Sequence, residues 1–343
     1  MRSKTTFISG LLLLFLLTLT VFGADPEIKF SGYAQTWFSY AQLNSDTGDD
    51  NAYVFSLRRM RFKPYGSLSD KIKWSLQVSW DSHAAGLIEV YLDYLFAKGI
   101  NLRVGQFSVP GAPSGSITSS AELDMLERPM ITEKWGSNNI LSAFRALGVQ
   151  LSGTFLNDKL FYAVMAANPK AINLTPPKIT AATYSNQNSG LYLWARIEAR
   201  PINGLRLGAF YGAGKEEDTQ VEKNSYGAHL FYIKDAINFK VEYIAGEYGP
   251  GGATTQYDGM YALLGYKIEK FEPIVRYGIY TPNDDQPDTA MVKEYQDLTF
   301  GLNYFYSNKI KLQANYMMRN ETMGGDLEDL KNNIFYICFQ FGF

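Results

Sequence analysis

The sequence predicts an all-β protein: a transmembrane antiparallel barrel of about 16 strands with an inward-folded third extracellular loop. Three observations lead there. From residue 28 onward the chain falls into segments of ~10 to 14 residues in which apolar and polar side chains alternate, with turns and loops in strict succession. It ends on a strand, 332–343, in which Phe335, Ile337, Phe339, Phe341 and Phe343 take every second position, so one face needs lipid or a core. It begins with an export signal: Arg2 and Lys4 precede an apolar run from Phe7 to Phe22, and the small residues Gly23 and Ala24 follow. Cleavage is expected after Gly23, with Ala24 as the alternative. The division is therefore 1–23 signal peptide and 24–343 barrel.

Composition agrees with that class. Aromatic residues make up 15% of the chain, led by 24 Tyr and 22 Phe, yet the mean hydropathy is only −0.17. A barrel reconciles the two, because half of each strand faces lipid and half faces water. No stretch after the signal approaches the ~20 apolar residues of a membrane helix. The single cysteine, Cys338, excludes internal disulfides and argues against a cysteine-based metal or redox site, and no cofactor or metal is expected. Without Arg2 and Lys4 the mature part carries 30 basic against 34 acidic residues, so no basic excess points to nucleic acid.

Taken in order, strands are expected near 28–41, 52–66, 71–81, 87–97, 100–108, 144–155, 159–168, 188–200, 204–213, 224–234, 236–248, 256–268, 271–280, 295–306, 309–319 and 332–343. Short polar connections such as Ser67–Asp70, Lys98-Gly99, Lys234-Asp235 and Ser307-Asn308 suit hairpins. Longer ones, 109–143, 169–187, 214–223, 281–294 and 320–331, alternate with them. Short turns therefore face the periplasm and long loops the outside, with both termini periplasmic.

Parity assigns an inner wall. Its basic members are Arg59, Arg61, Lys73, Arg103, Arg196, Arg200, Arg206, Lys240, Arg276, Lys311 and Arg319. Its acidic members are Asp81, Glu89, Asp93, Glu198, Glu242 and Glu272. Acids also crowd the loops, at 46–50, 216–218, 284–288 and 326–329, where they are read as solvated or as binding divalent cations that bridge lipopolysaccharide. A wall lined mainly by one sign raises the local concentration of the opposite ion. Arg58 has the wrong parity for the wall and faces lipid unless a bulge or the interface shelters it. The segment 109–143 is too long for a plain connection. Within it, 121–128 has apolar residues at helical spacing and reads as a short helix packed inside the barrel, which places Glu122, Asp124, Glu127 and Arg128 at a constriction.

The order of Arg58-Arg59-Met60-Arg61, Tyr91-Leu92-Asp93, Gly105-Gln106-Phe107 with Pro110, Ser119-Ser120, Glu127-Arg128 and Arg145-Ala146-Leu147-Gly148-Val149 resembles the phosphate-selective porin O/P family, best over 52–155. The resemblance implies a water-filled barrel, assembled as a homotrimer, with its third loop in the pore. It also implies passive diffusion of small hydrophilic solutes with an anion or phosphate preference set by arginine and lysine residues on loops and wall, and Arg145 is a further candidate at the constriction. The chain departs from that pattern in the third loop, where acids outnumber bases. The expected partners are outer-membrane lipid and lipopolysaccharide, small hydrophilic or anionic solutes, and the barrel-assembly machinery, which reads a terminal aromatic signal at Phe339, Phe341 and Phe343.

Two other classes compete. One is a barrel that scaffolds surface adhesion or ligand binding, although none of the loops is long enough for a separate domain. The other is an outer-membrane hydrolase, which needs a base beside its nucleophile. The histidines are His83, in Asp81-Ser82-His83, and His229, and neither lies in a nucleophile motif.

Overall fold

A computed structural model describes residues 27–45, 48–81, 84–97, 99–138, 144–168, 191–216, 221–250, 254–283, 292–324 and 330–343. The signal segment and His83 lie outside them. The strands in chain order are β1 (Glu27–Ser45), β2 (Gly48–Ser67), β3 (Ile72–Asp81), β4 (Ala84–Ala97), β5 (Ile100–Ser108) and β6 (Arg145–Phe155). There follow β7 (Leu160–Ala167), β8 (Tyr192–Ala199), β9 (Leu205–Glu216), β10 (Val221–Lys234), β11 (Ile237–Pro250) and β12 (Thr255–Tyr266). The last are β13 (Phe271–Thr281), β14 (Val292–Phe305), β15 (Ile310–Met323), β16 (Leu330–Lys331) and β17 (Asn333–Gly342). Each pairs antiparallel with its neighbour. The two-residue β16 and β17 both pair with β15, so together they fill one position of a sixteen-position barrel. β17 also pairs with β1, from Tyr33↔Gly342 to Gln42↔Asn333, and this closes the sheet and removes its edges.

Polarity is inverted relative to a soluble protein. Glu198 and Glu242 are 0% exposed, whereas Leu193 is 61% and Phe300 50% exposed. In β13 the buried positions include Glu272 and Arg276 and the exposed ones Phe271 and Tyr277. Charged side chains therefore line the inside and apolar ones the outside, as lipid requires. Aromatic pairs mark the band's rims. Phe30 stacks on Phe62 at the turn end, and Phe38 meets Phe55 eight residues further along β1. At ~3.3 Å per residue and a tilt of about 40°, that spacing gives about 20 Å of height, close to the apolar band of an outer membrane.

The turns follow from local chemistry. Ser69 Oγ accepts from the Lys71 and Ile72 amides, and Ser307 Oγ does the same for Lys309 and Ile310, so each hydroxyl pins a hairpin. Gly204, at φ 87°, takes a left-handed turn position that a side chain would strain. The seam depends on another glycine. Phe343 N–H donates to the Gly32 carbonyl at 3.0 Å, and its ring lies over Gly32, where a Cβ would come within 2.4 Å of it. Phe339, Phe341 and Phe343 are all exposed on the outer face, while Cys338 and Gln340 point inward.

Two expectations change. The expected connection 214–223 is shorter, because β9 and β10 stay paired out to Glu216↔Val221. β1 and β2 likewise run on to Ser45↔Gly48. These hairpins rise past the lipid, where backbone pairing continues without the apolar alternation that marks the spanning part. Of the loop acids, Asp46, Glu217, Asp218, Asp284, Asp285, Asp288, Asp326, Glu328 and Asp329 lie outside the described residues.

Candidate functional site

The segment after β5 begins dry. Val109 and Ala112 are 0% exposed, and a single wide helical turn, Pro113–Ile117, follows. Helix α1 then spans Met130–Asn138, with the Thr132 and Glu133 amides donating to the Pro129 carbonyl. Met125, Met130 and Ile131 pack with Phe107, Tyr261, Leu263, Ile274 and Tyr280, all inward-facing. At ~1.5–3 kcal/mol per buried side chain, this packing gives the segment a core of its own against the wall.

Residues 121–128 do not form the expected helix; they make a series of bends before Pro129. Wall side chains have captured the backbone groups that a helix would use. Asn315 Oδ1 accepts from the Leu126 amide at 2.8 Å, and Asn303 donates to the Asp124 carbonyl at 2.8 Å. Lys311 and Gln313 donate to the Leu123 carbonyl, and Arg276 to the Glu127 carbonyl. The residue before a proline is also biased away from the helical region. Further round, Gln35 donates to the Ser120 carbonyl and Gln340 to the Ala121 carbonyl. Asp124 itself pairs with Lys240 at 2.7 Å and accepts from Asn238. The amides on β1, β11, β14, β15 and β17 thus bind this segment directly.

The wall from β2 to β6 is different. Arg103 forms a bidentate pair with Asp93, at 2.7 and 2.8 Å, over the Tyr91 ring. Arg145 pairs with Glu89 at 2.9 Å. Lys73 is exposed beside the Ser67–Ile72 turn. Arg61 lies over Tyr33. The wrong parity of Arg58 is resolved by a β-bulge: Gln35 pairs with Arg59 and Thr36 with Leu57, so Arg58 is the extra residue and turns inward. Arg58 and Arg59 then share one carboxylate, Glu127, each at 3.3 Å, and both sit 5.5 Å from the Trp37 ring.

Arg128 differs from its sequence-based reading. It is buried, donating to the Ser114 and Thr118 carbonyls and to Ser120 Oγ, so it staples the segment to itself instead of facing a channel. Burial and then the charges of Arg59, Arg145 and Arg61 push it down to about 10, still cationic at neutral pH. Glu122 is exposed. The Glu127 carboxyl is held below its usual range against the pull of burial, chiefly by Arg59 and Arg58. Glu133 reaches water yet is ringed by protein atoms; that burial and then the Glu127 charge push it up to about 7.

Arg196 falls in a separate cluster. Fully buried Glu198 accepts from Arg196, from Arg200 at 3.0 Å and from Arg206 at 2.9 Å, and His229 Nε2 is 3.2 Å away. Sequence reasoning missed the neutral amides Gln35, Asn238, Asn303, Gln313, Asn315 and Gln340. Their one signal was uncharged polar residues repeating on inner faces that elsewhere carry charge. It also missed Asp297, buried 3.8 Å from Arg276.

A closed barrel with an apolar exterior and a charged bore defines an outer-membrane channel protein. Residues 30–343 match the family model described as phosphate-selective porin O and P, and the chain belongs to that family. The match reaches well beyond 52–155, where the motifs are densest. Similar solved structures include an anion-selective porin from Comamonas acidovorans, at 12% identity and TM-score 0.68, covering 93% of this chain and 100% of that one. OprB of Pseudomonas putida shares 10% identity at TM-score 0.68, over 96% of each chain. OmpT of Vibrio cholerae, in a trimer form, shares 13% at TM-score 0.64, over 93% of this chain and 99% of that one. No curated protein sequence matches the chain.

Proposed function

We propose that the protein is a diffusion channel whose 109–138 segment lies across the bore and leaves an eyelet against β2–β6, through which small hydrophilic anions pass in preference to cations. The observation that carries this reading is the gathering of Arg58, Arg59, Arg61 and Arg145 near Glu89, Glu127 and Glu133, with buried Arg128 behind them. Guanidinium groups outnumber carboxylates there, and a low-dielectric wall focuses their field on whatever passes. Asp124 and Glu127, which favour cations in the sequence, are each matched by wall cations, so little of their charge opposes that field.

The same reading includes export by the 1–23 signal, recognition of the Phe339, Phe341 and Phe343 strand by the assembly machinery, an outer face in lipid and lipopolysaccharide, and a homotrimer like the trimer form of the Vibrio cholerae neighbour. A channel role, not a hydrolytic one, fits His229, which is enclosed with Glu198 and arginines. Planar-bilayer recording under a KCl gradient tests the proposal. The expected result is a reversal potential on the anion side; a strongly cation-selective native channel contradicts it.

A further inference from the structure

We infer that Arg58 is a positioning residue: with Arg59 it clamps Glu127, holds the 109–138 segment against the β1–β2–β17 wall and so sets the width of the eyelet. This inference rests on the channel reading for its effect on permeation, but not for the clamp itself. The geometry is specific to this stretch of chain. A regular β2 would turn Arg58 to lipid; the bulge opposite Gln35/Thr36 brings it inside, next to Arg59, so that two consecutive residues reach one carboxylate. Trp37 lies beneath both guanidinium groups and gives the pair a fixed seat.

The clamp acts from one side only. The Glu127 backbone is held from the other direction, its carbonyl accepting from Arg276 on β13 at 2.8 Å. Residue 127 is therefore strung between β2 and β13. Its neighbours toward β14 and β15 are tied by neutral amides to main-chain groups, whereas its side chain meets β2 through hydrogen-bonded ion pairs with Arg58 and Arg59. Loss of the clamp releases the Glu127 side chain and unseats the guanidinium groups from Trp37, while the amides still hold the main chain of 120–126, more loosely on that side.

A native reporter lies under this contact. Cys338, the chain's single cysteine, is 0% exposed and packs with Trp37 and Leu126, the residue before Glu127. If the clamp seats the segment, it also shields that thiol from water-soluble reagents.

The experiment uses the full-length barrel, folded and reconstituted, in wild-type, Arg58→Leu, Arg58→Lys and Glu127→Gln forms. A charged maleimide probes Cys338, and bilayer recording reads conductance. Wild type and Arg58→Lys are expected to react slowly; Arg58→Leu and Glu127→Gln are expected to react at least about tenfold faster, because local opening becomes easier. Both fast-reacting variants should also show larger, noisier single-channel steps. Glu127→Gln leaves the wall untouched, so it decides the matter if Arg58→Leu does not assemble. Thiol protection as in wild type, or unchanged steps, in a folded variant overturns the inference. A wild type that conducts nothing defeats the channel reading alone, and the thiol rates still judge the clamp.

Discussion

The two walls of the bore are built from different chemistry, although both come from alternating strands of one sheet. Between β2 and β6 the inner face carries Arg59, Arg61, Arg103 and Arg145 with Asp93 and Glu89, and Lys73 remains in water. Across from it, β11, β14, β15 and β17 present Asn238, Asn303, Gln313, Asn315 and Gln340, most of them bonded to the backbone of the 109–138 segment. An amide both donates and accepts, and burying it costs far less than burying an ion. The amides can therefore fix architecture where buried Lys240, Arg276 and Lys311 need partners, while the β2–β6 wall holds Arg59, Arg61 and Glu89 nearly buried and leaves Lys73 and part of Arg103 in water.

Neither wall exists until the seam closes, so the largest effect is expected there. Deleting Phe343 removes the backbone pair and ring over Gly32, and most of the protein should remain unassembled and lose its gel mobility shift on heating. Heat-shifted barrel at wild-type level would show that the seam closes without it.

The amide wall comes next. Asn303→Ala with Asn315→Ala leaves the Leu126 amide without its partner and costs the Asp124 carbonyl one of its bonds, at ~1–3 kcal/mol for each lost bond. Limited proteolysis of folded barrel should then cut within 121–128 at least about tenfold faster. Resistance equal to wild type would mean that packing of Met125, Met130 and Ile131 suffices to hold the segment.

A smaller effect separates the walls by pH. The folded-state value of Glu133 is raised, so the group is ionised at pH 8 and largely neutral at pH 6. Anion preference should therefore grow as pH falls from 8 to 6. The linked stability runs the same way, since a raised carboxyl binds more protons in the folded state and disfavours folding as pH rises from its unfolded value to about 7. Glu133→Gln should flatten the selectivity profile. A profile unchanged by that substitution would place the titrating group elsewhere.

Much of this was legible in the sequence, and for a physical reason. Lipid enforces strict alternation, so every expected strand is present and the edges differ mainly where hairpins leave the membrane, as at Gly48 and Val221. Inner-wall parity was equally readable for Arg103, Arg196 and Lys240. Arg58 was not, because a bulge inserts one residue without altering composition. The 121–128 stretch carries a helical pattern, yet its backbone is claimed by Asn303, Gln313 and Asn315, which are distant in sequence. Likewise Arg128 reads as a channel charge until its carbonyl partners, Ser114 and Thr118, are seen.

Removing equal charge from each side and measuring the reversal potential shows whether solutes meet the β2–β6 wall and not the amide wall. Arg61→Gln with Arg145→Gln is set against Lys240→Gln with Lys311→Gln, at 0.1 M salt, where the screening length is about 10 Å. The arginine pair should shift the potential toward cations, by about twofold or more in permeability ratio, and the lysine pair should leave it close to wild type. Equal shifts from both pairs, or a larger one from the lysines, would contradict a path along the β2–β6 wall.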